Sequence, residues 1–341
     1  MQTCLPKIGI SMGDPAGIGP EIILNALTDE NILASCIPVI LGDRHVLDER
    51  AQKLDIPFSA HEVNSPSDFS QSTSPAILSI TSLQNVKCGA VSKESGQASG
   101  LYIQKAVELA LENKIDGIVT APINKESFNL GGFNYPGHTE FLAHLTKTEN
   151  YAMMLMGESL RVALLTIHCP LMEVADRLTR EDTLRIIRLS SESLKKYFAI
   201  KKPRIALASL NPHAGEAGLF GNEEEKILLP AATMAREEGI DVTDPLPADT
   251  LFFSAVRGKY DLVVCPYHDQ GLIPLKLLHF EDGVNVTLGL PIVRTSPDHG
   301  TAYDIAGKGL ANPDSIKAAI FTAITMANAR KLSQGGLAHE K

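Results

Sequence analysis

The chain has 341 residues, of which 44% are hydrophobic and 21% charged, a soluble globular balance with room for two domains and no need of disulfides. A net charge of -9 excludes a general nucleic-acid or acidic-membrane partner, although a local Lys/Arg cluster can still hold a small anion. The five cysteines (Cys4, Cys36, Cys88, Cys169, Cys265) form no C-x-x-C pair, no apolar run reaches membrane-spanning length and no signal peptide opens the chain, so a reducing, cytoplasmic setting is expected.

In chain order, residues 7–12 predict a strand, 13–20 a turn rich in Gly and Pro, and 21–27 a helix, the opening of an α/β unit. The turn lacks the G-x-G-x-x-G spacing of a dinucleotide fingerprint. Close packing of strand on helix and direct ligand contact both stay open for it. Residues 39–43 predict the next strand and loop. Residues 58–75, rich in Ser, Asn, Asp and Pro, predict a surface excursion. In 96–113, Ile103, Ala106, Val107, Ala110 and Leu111 fall at helical spacing, and a strand over 117–121 stops at Pro122. The glycine-rich residues 129–137 mark the expected domain boundary, with 1–130 plus 290–341 as one domain and 131–289 as the other. Beyond it, Thr139 suits the cap of a short helix. His138 and Thr139 together, at a helix start after a glycine loop, equally suit a phosphate or carboxylate.

Three predicted strands, 162–167, 205–210 and 262–265, are each followed closely by a histidine: His168, His213 and His268. A proline beside each stops the strand and fixes the loop. If the strands are parallel in one sheet, the three imidazoles emerge at one edge, where ligands of open α/β sheets bind. Three neutral imidazoles with an open fourth position suit a catalytic zinc or similar divalent ion that polarises an oxygen. The spacing is too long for a compact motif, and a lone histidine after a strand is more commonly a loop or core hydrogen-bonder. His45 and His61 read as surface residues, and Cys169 beside His168 reads as a packed thiol rather than a nucleophile.

Residues 211–225 contain three glycines and predict a flexible, substrate-facing loop; the acidic run 223–225 predicts a solvated helix start. Asp249 falls at a helix N-cap position, with an active-site contact as the other reading. Lys276, Asn285 and Arg294 follow the third histidine. Arg294 ends an apolar segment, where its guanidinium can grip a phosphate or carboxylate with two bonds. Residues 299–313 form a Gly-rich loop with Asp304 and Asn312 as polar members, which by itself names no cofactor.

Seven stretches together resemble one family: GDPAGIGPE (13–21), GHTEF (137–141), HCP (168–170), NPHAGEAGLFGNEE (211–224), PADTLF (247–252), PYHDQGLIPLK (266–276) and GVNVTLGLPIVRTSPDHGTAYDIAGKG (283–309). They are similar to the 4-hydroxythreonine-4-phosphate dehydrogenases of vitamin B6 biosynthesis. The resemblance implies an α/β fold of the isocitrate/isopropylmalate dehydrogenase type, with two α/β/α domains and a cleft. It implies NAD or NADP on Gly300, Asp304 and Asn312. It implies a divalent metal (zinc, with magnesium or cobalt as alternatives) on His168, His213 and His268. Substrate would lie on His138, Thr139, Lys276, Asn285 and Arg294, with Lys276 and Asp249 as candidate catalytic residues. The product would be a β-keto acid that decarboxylates, and the protein a homodimer with a shared active site. Three rival readings remain: a dehydrogenase of a four-carbon sugar-acid phosphate or a dihydrodiol, a metallohydrolase, and an inactive sensor.

Overall fold

The computed structural model describes residues 5–70 and 74–336, so Cys4 lies outside the described residues. Contacts divide the chain into two compact units, Met1–Glu149 with Leu290–Asn328, and Asn150–Gly289 with Ala329–Lys341. The first comprises β1 (Lys7–Ser11), α1 (Gly19–Ala26), α2 (Glu30–Ser35), β2 (Ile37–Gly42), α3 (Arg44–Leu54), β3 (His61–Glu62), β4 (Ala76–Ser79), α4 (Lys93–Leu111), β5 (Gly117–Thr120), α5 (Lys125–Leu130) and α6 (His138–Leu145). The second comprises β6 (Ala152–Met156), β7 (Arg161–Leu164), α7 (Val174–Arg177), α8 (Arg180–Phe198), β8 (Arg204–Ala208), α9 (Leu229–Glu237), β9 (Asp241–Leu246), α10 (Ala248–Ala255), β10 (Leu262–Cys265), α11 (His268–Leu278) and β11 (Val284–Leu288). The chain then adds β12 (Arg294–Pro297) to the first unit, and the last described element is α12 (Asp314–Gly336).

The units part after Glu149, not at the glycine-rich residues 129–137. Aromatic packing accounts for the shift. Phe141 of α6 sits against Phe128, Phe133 and Tyr135, with ring centroids 5.3, 5.2 and 4.9 Å away. Burying that cluster holds α6 to the first unit despite the glycines.

Strands of the first unit run in the order β3-β4-β2-β1-β5-β12 and pair in parallel. A parallel sheet is covered on both faces, which is why every residue of β2 (IPVILG) is buried. The stretch expected as a surface excursion carries β3, a 3-10 turn over Pro66–Ser70 and the fully buried Phe69. His61 is therefore not a surface residue: it lies in β3 with a buried Nε2, whereas His45 is half-exposed.

The turn after β1 is built for close packing. Gly13 has φ of +71°, and a Cβ there would stand 2.4 Å from the Pro122 carbonyl oxygen. Just beyond, the fully buried Glu21 accepts hydrogen bonds from the backbone N–H of Gly307, from that of Gly309 at 3.2 Å and from Arg50 at 2.6 Å. Arg50, itself buried, also donates to the carbonyls of Gly17 and Pro15 at 3.2 and 3.3 Å. Asp14 accepts from the Tyr303 hydroxyl at 2.7 Å, and Ile18 N–H donates to the Thr301 carbonyl at 3.1 Å. The turn and the loop over 301–309 are thus one hydrogen-bonded body.

The second unit has the order β11-β6-β7-β10-β8-β9. β6 is antiparallel to both β11 and β7, while β7, β10, β8 and β9 run parallel to one another. The three strands that precede the histidines are therefore adjacent and point the same way. Among the described residues no helix is long and apolar enough to cross a membrane.

Replacing Glu21 by Ala strands the Arg50 charge in the interior and is expected to cost about 3–5 kcal/mol of unfolding free energy. Urea unfolding followed by circular dichroism measures it, and a midpoint equal to that of the wild type would refute the clamp.

Candidate active site

β5 ends at Thr120 and β12 begins beside it, with Arg294 in register with Ile118. Arg294 is 2% exposed, and its Nε and Nη2 donate to Thr120 Oγ1 at 3.2 and 2.8 Å. Burial lowers the proton affinity of the guanidinium, and the negative charge of Glu140 opposes that shift. A guanidinium remains cationic at neutral pH all the same.

α6 starts beside Arg294. Its N-cap is Gly137, in extended conformation, with no side-chain cap. The expected Thr139 cap is not made, because the helix begins one residue before it and places Thr139, 8% exposed, inside the first turn. His138 leads the helix. Burial, then the charge of Arg294, push its pKa well below 6.5, against a backbone hydrogen bond to Ala121. Its Nε2 is buried and has no hydrogen-bond partner.

In the second unit, His168 lies just past β7 and His268 is the first residue of α11. Their ring centroids are 5.8 Å apart. With Cys169, Leu171, Tyr267 and Asp269 they line a cavity of about 480 Å³. Asp269 Oδ1 sits 2.7 Å from His268 Nδ1, which orients the ring and turns Nε2 to other use.

His213 does not join that pair. It lies in the 3-10 turn Pro212–Gly218, where His213, Ala214, Gly215, Glu216 and Ala217 have φ of 55°, 54°, 79°, 43° and 56°. Its side chain is 69% exposed, with Glu216 Oε2 at 3.7 Å. Among the described residues no three His, Cys, Asp or Glu side chains stand together as a metal cluster. Parallel strands bring two of the three expected ligands together, and the left-handed turn carries the third away.

That turn is anchored by a residue whose sequence context suggested the surface. Glu224, expected as a solvated acid, is 6% exposed. Its carboxylate accepts from Leu210 N–H at 2.9 Å, Asn211 N–H at 2.7 Å and Asn211 Nδ2 at 3.0 Å. A signal was present: Glu224 is one helical turn from Leu228, which is fully buried, so both share the inward face.

The remaining candidates divide between the units. Lys276 on α11 is half-buried, with Nζ 6.0 Å from the centre of the Phe280 ring, and Asn285 lies on β11. Asp249 is exposed in the first turn of α10, whose N-cap is Pro247, so it does not cap the helix. Gly300 and Asp304 are exposed on their loop, and a Cβ on Gly300 would meet nothing within 4 Å. Asn312 Oδ1 accepts from Asp314 N–H at 2.8 Å, at the start of α12.

The depressed His138 pKa has a stability consequence. Below about 6.5, the value for an unfolded chain, unfolded molecules bind the extra proton and folded ones do not. Folding stability therefore falls as pH drops from there toward the folded value. His138→Gln is expected to remove that slope, read from urea unfolding at stepped pH; parallel curves for the two proteins would refute it.

Comparison with known proteins fits this arrangement. Residues 34–323 match the family of the pyridoxal phosphate biosynthetic protein PdxA. A 4-hydroxythreonine-4-phosphate dehydrogenase of Desulforapulum autotrophicum is 49% identical over 318 residues, 92% of this chain and 94% of the relative. A D-threonate 4-phosphate dehydrogenase of Cupriavidus necator is 43% identical over 333 residues, 97% of this chain and 100% of the relative. The crystal structure of 4-hydroxythreonine-4-phosphate dehydrogenase from Klebsiella pneumoniae aligns with a TM-score of 0.87 at 41% identity, over 94% of this chain and 99% of that one. All the candidate site residues fall inside the matched span. On sequence and fold alike, the chain belongs to the PdxA family of pyridoxal phosphate biosynthetic proteins.

Proposed function

We propose that this chain oxidises 4-phosphooxy-L-threonine with NAD or NADP, giving a β-keto acid that loses carbon dioxide to 3-amino-2-oxopropyl phosphate in vitamin B6 synthesis. The observation that carries the reading is the buried Arg294 guanidinium, whose Nε and Nη2 are oriented by the Thr120 hydroxyl at the end of β5. Arg294 grips the phosphate or carboxylate of the substrate, and Thr139, in the first turn of α6, adds a hydroxyl to the same end of the ligand. Lys276 and Asn285 supply further polar contacts, and Lys276 or Asp249 receives the hydroxyl proton. Gly300, exposed and without a neighbour to crowd it, lets the cofactor's adenosine part approach the backbone, beside Asp304 and Asn312.

Two imidazoles 5.8 Å apart, one backed by a carboxylate, fit half of a divalent-metal donor set. His168 and His268 would hold the ion, with His213 as the third ligand. When bound, the ion supplies positive charge that lowers the cost of ionising the substrate hydroxyl. His213 stands apart from the pair in a single chain, so we infer that a second copy completes the set within a homodimer. Leu171, Met172, Ile273, Leu277 and Phe280, all 66% exposed or more, give the second unit exposed apolar side chains of the kind that subunit interfaces cover. Free thiols at Cys36, Cys88, Cys169 and Cys265 fit a cytoplasmic location.

A second reading is a threonate-type substrate, favoured by the full-length similarity to the Cupriavidus necator enzyme. The two substrates share the phosphate and differ in an amino or hydroxyl group.

Turnover of 4-phosphooxy-L-threonine and of D-threonate 4-phosphate, each with NAD and NADP, with and without chelator, decides among these readings. The threonine derivative is expected to be used faster, and chelator to stop turnover. His213→Ala should lose metal and activity together with its circular dichroism unchanged, whereas full activity under chelation would refute the metal role. Arg294→Ala should raise KM for the phosphorylated substrate by at least about a hundredfold, from loss of a charge-assisted pair worth about 3 kcal/mol. KM for the nicotinamide should change little, and equal effects on both constants would remove the anion-holding role.

A further inference from the structure

The geometry points to His279 as a positioning residue for Lys276 and Asn285, acting through a clasp with Ser159 and Asp282 and not by touching the substrate. The inference rests on the reading that Lys276 and Asn285 hold the phosphorylated substrate. Both stand next to one turn of the second unit. Lys276 lies in the last turn of α11, which ends at Leu278, and Asn285 is the second residue of β11. Residues 279–283 join them, so the freedom of this turn sets how firmly both polar groups are held. Pro274 lies inside α11 and has no N–H to give to the preceding turn, which leaves the end of the helix less well tied. The helix then stops at His279, whose φ and ψ of -131° and 54° are non-helical.

What the helix end lacks, the His279 side chain supplies. It is 8% exposed and lies against the hairpin that joins β6 to β7. A Cβ on Gly157 would stand 2.1 Å from the ring's Cγ, so a glycine is required for the hairpin to close over it. Ser159 donates to Nε2 through its backbone N–H at 3.3 Å and its hydroxyl at 2.7 Å. An amide N–H can only donate, so Nε2 carries the lone pair and the ring proton sits on Nδ1. Nδ1 faces the Asp282 carboxylate, with oxygens at 3.0 and 3.2 Å. One ring thus ties both ends of the turn to the hairpin, and the hairpin is itself paired with β11, Met156 opposite Val284 and Leu155 opposite Asn285. Ser, His and Asp are also the residue types of a hydrolytic triad. Here the Ser159 N–H that would steady an oxyanion is spent on the ring, which is the arrangement of a clasp. A turn left loose would have to be ordered each time substrate binds, at a cost in binding free energy. The clasp makes that order a property of the fold.

Steady-state kinetics with 4-phosphooxy-L-threonine test this on the wild type, His279→Phe, Ser159→Ala, Asp282→Ala and Asp282→Asn. KM for the phosphorylated substrate is expected to rise about tenfold in His279→Phe, as for two polar side chains that must be ordered on binding. KM for the nicotinamide and the metal content should stay at the wild-type level. Ser159→Ala and Asp282→Ala should each give part of the rise. Asp282→Asn keeps a carbonyl oxygen for the Nδ1 proton and should restore the wild-type KM. Combining Ser159→Ala with His279→Phe should add nothing further, because the hydroxyl then has no ring to hold. A wild-type KM in His279→Phe would overturn the inference. So would a parallel rise in both KM values or a loss of metal, either of which marks general damage and not positioning. Should His279→Phe fail to fold, Ser159→Ala on its exposed turn and the contrast between Asp282→Ala and Asp282→Asn decide in the same way: no rise, or no rescue by Asn, sinks the clasp. Failure of the underlying reading has a different signature, since Lys276→Ala and Asn285→Ala would then leave the substrate KM unchanged.

Discussion

A single buried carboxylate organises the first unit. Glu21 meets the Arg50 charge on one side and the amides of Gly307 and Gly309 on the other. Backbone amides in a loop have no strand partner and must find an acceptor elsewhere. Here the acceptor is fixed at the start of α1, so a loop without regular structure is held as firmly as an element. Removing either charge would leave the other unpaired in the interior, a larger loss than the pair's own net worth. The exposed Gly300, Asp304 and Asn312 are presented by this anchored frame, and their placement is a consequence of a contact none of them makes.

The two units place polar groups by a common rule and with different results. Parallel strands end together, so the residues just past their ends collect at one edge. In the second unit this sets His168 beside His268, because β7 and β10 are neighbours. In the first unit the edge is used sideways. Thr120 ends β5 and serves as hydroxyl partner to Arg294, which stands at the opposite end of its own strand, β12. Hydrogen bonding to that hydroxyl orients the guanidinium.

The segment after β8 shows strain held by local bonds. His213, Ala214, Glu216 and Ala217 take left-handed φ values that cost about 1–2 kcal/mol each for residues with a Cβ. Glu224 accepts three hydrogen bonds from Leu210 and Asn211, and Glu223 accepts another from Asn211 at 2.7 Å. These fix where the turn departs from the sheet. Residues held in sparsely populated conformations cluster at functional sites, and this turn carries a proposed ligand of the metal.

Much of this molecule was legible in its residues. Apolar runs closed by prolines predicted the strands before His168, His213 and His268, because a run with no polar face belongs in a doubly covered sheet. Arg294 after GLPIV predicted a guanidinium at the border of the core, and the seven motifs predicted the family. Tertiary structure decided what spacing cannot encode. Glu223 and Glu224 are adjacent acids with the same local surroundings, yet packing buries the second, because burial depends on which strand end lies opposite. Thr139 and Asp249 looked like caps, but helices start where backbone donors and packing allow, and the N-caps are Gly137 and Pro247, two residues before where the side chains suggested. The glycines of 129–137 looked like a boundary until Phe141 found three rings from its own unit. His213 follows an apolar strand and a proline as its two counterparts do, and the left-handed turn it stands in separates it from them.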